Sequence, residues 1–364
     1  MKVPLGFSLA GINCGIKKKG FDLGLIYSYD FSDAVGFFTQ NANPSYSVLV
    51  SKKNISNSIK AVLVNSGNAN CFTHKEGLKD TEEICKSLAK LLNVEEKNIL
   101  IASTGIIGKR LPKEKIIKSL PKLIKNLGEN IDDFTSSIMT TDTFKKISYK
   151  KIKFKNGIVN ILGFAKGAGM IFPNMATMLS FILTDANLDT NILKEISKDI
   201  IDESFNSINI DACTSTNDTV FILKSNKIKI ESNEVEIFRD NLKEVCISLA
   251  KMIVRDAEGA TKFIEILIKG ALTKKEAELA AKSISSSMLF KSAIYGENPN
   301  FGRIISALGQ VNIPLEEERL EIKCSSLKKK DIKLIIDLKR GDSSYRIYTC
   351  DLTPKYIKIN AEYS

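Results

Sequence analysis

The stretch Gly163-Phe-Ala-Lys-Gly-Ala-Gly-Met-Ile-Phe-Pro-Asn-Met-Ala-Thr177-Met-Leu-Ser-Phe-Ile-Leu-Thr-Asp185 is the richest local sequence in this 364-residue chain. Gly167 and Gly169 allow backbone conformations that a Cβ would forbid. Pro173 stiffens the approach to Asn174. Thr177 then opens an apolar run, Leu179 to Leu183, that reads as a buried strand. Two readings stay open on pattern alone. The first is a Gly-rich turn into a core strand, for which a β-branched Thr is suited. The second makes Thr177 a nucleophile whose base is its own α-amine, freed by cutting the chain before it. An α-amine titrates at about 7.7–8.0, matched to neutral pH, so it can stand in for histidine. In that scheme the Thr177 hydroxyl attacks the Ala176 carbonyl and water resolves the ester. The small Ala176 side chain leaves that carbonyl accessible.

The rest of the chain fits around this segment. Strands are predicted at 47–51, 61–65 and 98–102. Apolar residues at 78, 84, 85, 88, 91 and 92 form one helical face. Runs at 147–154 and 158–164 flank Asn156-Gly157, a pair favoured in tight hairpin turns. Ile192, Leu193, Ile196, Ile200 and Ile201 mark a second helix, and Leu242, Val245, Leu249, Ala250 and Ile253 a third. Thr273 and Glu276 form a capping box that opens a fourth. Strands return at 320–324, 332–338, 345–350 and 356–360. The pattern is mixed α/β with much antiparallel sheet, without internal repeats or a long linker.

Composition narrows the chemistry. Hydrophobic residues are 43% and charged residues 26%, ordinary for a globular protein that buries a core. Lys plus Arg is 53 against 42 Asp plus Glu, so the net charge is +11. The excess is spread along the chain, in short runs such as Lys17-Lys18-Lys19 and Lys328-Lys329-Lys330. No nucleic-acid-binding signature accompanies it, so a solvated basic surface is the better reading. The seven cysteines form no C-x-x-C pair, which argues for reduced thiols and against a zinc site. No stretch is apolar enough for a membrane span and the N-terminus lacks a signal-peptide core, so a cytoplasmic protein is expected. The single histidine, His74, leaves little room for a histidine-based triad or metal site.

The segment Lys166-Gly-Ala-Gly-Met-Ile-Phe-Pro-Asn-Met-Ala-Thr177-Met-Leu resembles the self-cleavage segment of the ArgJ family, the ornithine acetyltransferases, or glutamate N-acetyltransferases, of arginine biosynthesis. The resemblance runs from Gly6-Phe-Ser-Leu-Ala-Gly-Ile12 to Ile359-Asn-Ala-Glu-Tyr363. It takes in Phe38-Thr-Gln-Asn41, Asn65-Ser-Gly-Asn-Ala-Asn70, Ser103-Thr-Gly105, Met139-Thr-Thr-Asp-Thr143, Ser215-Thr-Asn-Asp-Thr219, Arg255-Asp-Ala-Glu-Gly-Ala-Thr-Lys262 and Pro299-Asn-Phe-Gly-Arg303. So many matches in order favour Thr177 as nucleophile over the plain turn.

The resemblance implies an ArgJ/DmpA-like fold of the Ntn type, α/β (α+β), with sheets sandwiched by helices and a smaller C-terminal subdomain. It implies self-cleavage at Ala176-Thr177 into an α chain of 1–176 and a β chain of 177–364, which stay together in an α2β2 heterotetramer. Thr177 would take the acetyl group of N2-acetylornithine and pass it to glutamate. Thr104 and Gly105 would form the oxyanion hole; read alone, they are an ordinary turn. Thr140, Lys166, Glu258 and Asn360 would contact substrate. Taken singly, these four read as a helix cap or turn residue, a solvated lysine, a helix-end glutamate and a polar strand end. No metal or organic cofactor is implied, and acetyl-CoA, which some members accept, stands as a possible second donor. The runner-up is a self-processing Ntn-type amidohydrolase or aminopeptidase of related fold, with water as acceptor.

The chain departs from the family pattern in places. Asp211-Ala212-Cys213 stands where Asp-Gly-Asp is common, Phe301 where tryptophan is usual, and Asn298 where aspartate is usual. His74 replaces a glycine and is expected in a surface loop. The chain ends at Ser364, one residue short of the usual terminal threonine, so Ser364 is the weakest of the substrate-contact candidates.

Overall fold

The computed structural model describes residues 1–172 and 178–362; Ala176, Thr177 and Ser364 lie outside them. The chain divides into two compact units. Of the described residues, the first takes 1–167, 178–202 and 214–249, and the second takes 168–172, 203–213 and 250–362.

The first unit is built on one eight-stranded sheet. In chain order its elements are β1 (Phe7–Ile12), β2 (Leu23–Phe38), α1 (Tyr46–Asn54), β3 (Ile59–Asn68), α2 (His74–Leu92), β4 (Ile99–Ile106), α3 (Lys113–Lys125), α4 (Ile131–Ile138), β5 (Lys146–Phe154), β6 (Gly157–Lys166), β7 (Leu179–Asn187), α5 (Thr190–Glu203), β8 (Thr219–Lys229) and α6 (Val235–Arg255). The strand order is β4-β3-β2-β8-β7-β6-β5, and β1 also pairs with β2. The long β2 makes this possible. Its first half pairs with β1 and β3, and its second half with β8. The parallel pairs are β3 with β4 and β7 with β8.

Helices cover the sheet. One core joins Phe164, Phe181 and Phe221 of the strands to Phe134 and Ile138 of α4. The Phe134 ring meets those of Phe164 and Phe181 edge-on, at 5.1 and 5.7 Å between centroids. A second core joins Leu25, Leu63 and Ile101 to Ile84 and Leu88 of α2 and to Ile116 and Leu120 of α3. Each such fully buried side chain contributes about 1.5–3 kcal/mol relative to exposure.

The second unit holds a four-stranded sheet of order β10-β11-β9-β12. Its elements are β9 (Phe263–Ala271), α7 (Lys274–Ser286), α8 (Met288–Tyr295), α9 (Gly302–Gly309), β10 (Glu321–Cys324), β11 (Asp331–Asp337), β12 (Ser343–Cys350) and α10 (Pro354–Glu362). Its core packs Ile264, Ile266 and Ile268 of β9 against Ala277, Ala280 and Ile284 of α7. This is the smaller, largely C-terminal subdomain that the resemblance implied. Both units draw residues from either side of Ala176-Thr177, so neither coincides with the 1–176 or 177–364 division.

Two expected strands are helices. Residues 47–51 lie in α1, where Ser45 caps the start by accepting from the Val48 N–H. The flanking serines turn inward instead of alternating. Ser51 Oγ donates to the Ile101 carbonyl at 2.7 Å and accepts from the Ile101 N–H at 2.8 Å. The expected strand at 356–360 belongs to α10. Pro354 is pre-set for a first helical turn, and the Thr353 hydroxyl accepts from the Tyr356 N–H. Those start signals override the β-branched alternation that follows. A smaller correction concerns the hairpin. Phe154 pairs with Gly157, so Lys155 and Asn156 are the turn residues, and Gly157 is already in the strand at a φ of 146°.

Candidate active site

The sheet brings three of the sequence candidates to one end of the first unit. Lys166 ends β6 and faces Leu179 of the antiparallel β7. Its ammonium donates to Thr104 Oγ1 at 3.2 Å, and both residues are almost fully buried. A lysine ammonium cannot accept, so the Thr104 hydroxyl proton stays available for another acceptor. Gly105 follows at the end of β4, opposite Gly67 of β3, where the register shifts. Its φ of 136° belongs to glycine, and a Cβ here would lie 2.3 Å from the Gly67 carbonyl carbon. The Ser103-Thr104-Gly105 segment is thus a strand end in a conformation that only glycine takes readily, rather than an ordinary turn.

Thr140 joins this group through a residue to which the sequence reading gave no role. Asp142 Oδ2 accepts from the Thr140 N–H at 2.9 Å. Asp142 Oδ1 accepts from the Lys146 ammonium at 2.7 Å and from the Gly167 N–H at 2.8 Å. The Asp142 and Lys146 side chains are both fully buried. Burial opposes ionisation of Asp142, but the charges of Lys166 and Lys146 and the hydrogen bonds outweigh it and bring the carboxyl down to about 2. The sequence signal was the acid-x-x-x-lysine spacing from Asp142, in the quoted Met139–Thr143 segment, to Lys146 beyond it.

Removing that carboxylate breaks the buried ion pair between Asp142 and Lys146. Asp142→Asn is therefore expected to lose about 3–5 kcal/mol of stability, read from urea unfolding. The pH dependence has a defined sign. A folded pKa near 2 against an unfolded value of about 3.9 means that the contribution is complete above about pH 4 and disappears as pH falls through 2. Asp142→Asn should flatten the acid limb of the stability profile in that window, and an unchanged acid limb would contradict this assignment.

Asp218, next to β8, is another residue that sequence reasoning missed. It is fully buried, and its Oδ1 accepts from the N–H of Met178, the residue that follows Thr177. Its Oδ2 has no hydrogen-bond partner among the described residues. Burial raises the carboxyl well above the usual range, against the opposing pull of the Met178 N–H, Thr39 and Lys166.

The other two candidates belong to the second unit. The Glu258 N–H donates to the Ala168 carbonyl at 2.8 Å. Asn360 of α10 donates through Nδ2 to Glu258 Oε2 at 3.1 Å, so the helix that replaced the expected strand still carries Asn360 to Glu258. Gly169 leaves room for this carboxylate, because a Cβ there would lie 2.6 Å from Glu258 Oε2. Of the departures, Ala212 still takes a left-handed φ of 59°, a conformation that costs alanine about 1–2 kcal/mol. His74 is exposed and begins α2.

Strong sequence relationships cover nearly the whole chain. The pattern that defines the ArgJ family matches residues 8–364. The arginine biosynthesis bifunctional protein ArgJ of Oceanobacillus iheyensis is 40% identical over 387 residues, spanning 99% of this chain and 95% of its own. The protein of the same name from Thermotoga neapolitana is 40% identical over 396 residues, spanning all of both chains. The glutamate N-acetyltransferase of Methanocaldococcus jannaschii is 39% identical over 397 residues, spanning 99% and 97%.

Proposed function

The chain belongs to the ArgJ family, and on that premise we propose that it transfers an acetyl group from N2-acetyl-L-ornithine to L-glutamate. The enzyme is an acyltransferase, and its reaction serves arginine biosynthesis. We infer further that it matures by cutting itself at Ala176-Thr177. The Thr177 hydroxyl adds to the Ala176 carbonyl, the peptide C–N bond breaks, and water hydrolyses the ester. Ala176 is left with a carboxylate and Thr177 with a free α-amine. Antiparallel pairing of β6 with β7, and of β2 with β8, supports two fragments that stay joined after the cut.

Transfer then runs in two steps. Thr177 Oγ attacks the acetyl carbonyl of acetylornithine while its proton passes to the Thr177 α-amine. The tetrahedral intermediate collapses, the amide C–N bond breaks, and ornithine leaves with that proton. The amine of glutamate attacks the acetyl ester, releasing N-acetylglutamate and returning the proton to Thr177. The observation that carries this reading is the Lys166 to Thr104 hydrogen bond. It leaves the Thr104 hydroxyl proton free to meet a developing oxyanion beside the Gly105 N–H, and adds a positive charge behind it.

The remaining roles rest on residue matches. Lys166 suits an α-carboxylate, Thr140 a polar substrate contact, Glu258 the ammonium of ornithine, and Asn360 either group. Assembly as an α2β2 heterotetramer, a cytoplasmic location and acetyl-CoA as a second donor complete the proposal. No described helix is long and apolar enough to cross a membrane. The test is an acetyl-transfer assay with and without glutamate. Transfer to glutamate that outpaces hydrolysis supports the transferase. Release of acetate alone, unchanged by glutamate, would favour the amidohydrolase instead.

A further inference from the structure

Both amide protons of one buried asparagine are spent on the backbone beside the oxyanion turn. Asn217 Nδ2 donates to the Ala69 carbonyl at 2.6 Å and to the Ser103 carbonyl at 2.7 Å. Its Oδ1 accepts from the Thr216 hydroxyl at 2.6 Å, so the amide is held in one orientation. Its own N–H donates to Ser215 Oγ at 3.1 Å. Asn217, Ser103 and Ala69 are all buried. The strand that carries Ser103, β4, is an edge strand, paired with β3 alone among the described strands. The Ser103 carbonyl carbon is bonded to the Thr104 nitrogen. A fixed Ser103 carbonyl therefore fixes the peptide plane from which Thr104 and Gly105 continue.

The residues that follow Asn217 hold the neighbour of the nucleophile. Asp218 Oδ1 accepts from the Met178 N–H at 3.1 Å, and the Thr219 N–H donates to the Met178 carbonyl at 3.2 Å. Met178 is thus held by both of its peptide groups, and it is bonded to Thr177. The Cα atoms of Asn217 and Asp218 are about 3.8 Å apart across one peptide. One short segment therefore grips the residue before Thr104 and the residue after Thr177. Asn217 belongs to the 177–364 half of the chain, whereas Ala69 and Ser103 belong to the 1–176 half. Asparagine is fitted to this task, because it offers two N–H donors to two carbonyls and buries no charge.

We propose that Asn217 is a positioning residue that sets the oxyanion turn of Thr104 and Gly105 opposite the nucleophile. This rests on the acetyl-transfer reading. Asn217 needs no contact with substrate, since it acts through the Ser103 carbonyl. Its effect belongs to the transition state. The donors of the turn must meet the developing oxyanion rather than the ground-state carbonyl oxygen. A displacement of about 1 Å costs about a hundredfold in rate, even when its cause lies away from the reacting atoms.

Asn217→Ala should lower kcat about a hundredfold per cut chain, counted by intact mass, with KM for acetylornithine within about twofold of wild type. Thr216→Val frees the amide to turn but keeps both donors, so kcat should fall by a smaller factor. Leu88→Ala in α2 opens a cavity in the core away from the turn, and the folded enzyme should keep its kcat. In a Thr104→Val background, Asn217→Ala should cost about tenfold or less, because both changes act through one turn. Should Asn217→Ala fold poorly or stay uncut, Thr216→Val and its coupling to Thr104→Val carry the test. Three results would overturn the role of Asn217 alone. These are a folded, cut Asn217→Ala enzyme with wild-type kcat, a raised KM with level kcat, or a loss in the Thr104→Val background as large as in the wild type. A wild-type enzyme that transfers nothing to glutamate would overturn the functional reading and this one with it.

Discussion

Thr177→Ala is expected to give a single uncut chain that transfers no acetyl group. One side chain serves both events in the proposed scheme, so its loss removes both. The hydroxyl makes the ester that opens the Ala176-Thr177 bond, and the same oxygen later carries the acetyl group. The α-amine that acts as base exists only after the cut, so an uncut chain lacks nucleophile and base together. Groups that act as a unit fail together, and the loss should approach the full catalytic effect rather than a fraction of it. Thr177→Ser separates the steps, because it retains a hydroxyl and should cut and transfer at reduced rate. Intact mass and acetyl transfer, measured side by side, check both statements. A Thr177→Ala chain that still splits at this bond would remove Thr177 from maturation.

Gly105→Ala should lower kcat about a hundredfold to a thousandfold, the usual effect of losing one oxyanion donor. The reason is steric. At a φ of 136° a Cβ would sit 2.3 Å from the carbonyl carbon of Gly67 and 2.4 Å from the Asn68 N. Both contacts are backbone atoms of the neighbouring strand, so no rotamer change relieves them. The end of β4 must move away from β3, and the Gly105 N–H moves with it. Strain of this kind costs of order 1–3 kcal/mol, so a lower melting temperature should accompany the kinetic defect. Thr104→Val provides the complement. It removes the other proposed donor with almost no change of shape, so kcat should fall, and because the buried Lys166 ammonium loses this acceptor, about 1–3 kcal/mol of stability should go with it. If Gly105→Ala kept wild-type kcat, the oxyanion role of this turn would be wrong.

Local signals in the sequence located most of the fold. The spacing from Leu78 to Leu92 marked α2, and the runs around Asn156-Gly157 marked the β5–β6 hairpin. In α7, Thr273 caps the first turn as read, accepting from the Glu276 N–H at 3.1 Å, while the Glu276 carboxylate accepts from the Leu272 N–H. Failures came where distant contacts decide. Nothing near Ser51 announces that its hydroxyl will be buried against Ile101, fifty residues away, so Ser47 to Ser51 looked like a strand. Residues 356–360 misled for a local reason, since alternation outweighed the Thr353-Pro354 start signal.

The site divides in the same way. Thr104, Gly105, Thr140, Lys166, Glu258 and Asn360 were legible only through the ordered motif matches, because each taken singly has a plain structural reading. Their contacts were not legible. That Lys166 would reach Thr104 depends on a sheet in which β6 and β4 are separated by four other strands. Asp142 and Asp218 sat inside quoted motifs, yet only burial shows what they do.

The most direct test of the central claim is the mass of the enzyme quenched during turnover with N2-acetylornithine and no acceptor. The account predicts two fragments divided at Ala176-Thr177, with one acetyl group on the residue that begins the second. Addition of glutamate should remove that acetyl group and yield N-acetylglutamate. A folded, active chain that remains uncut, or a cut chain whose acetyl group lies anywhere other than Thr177, would contradict it.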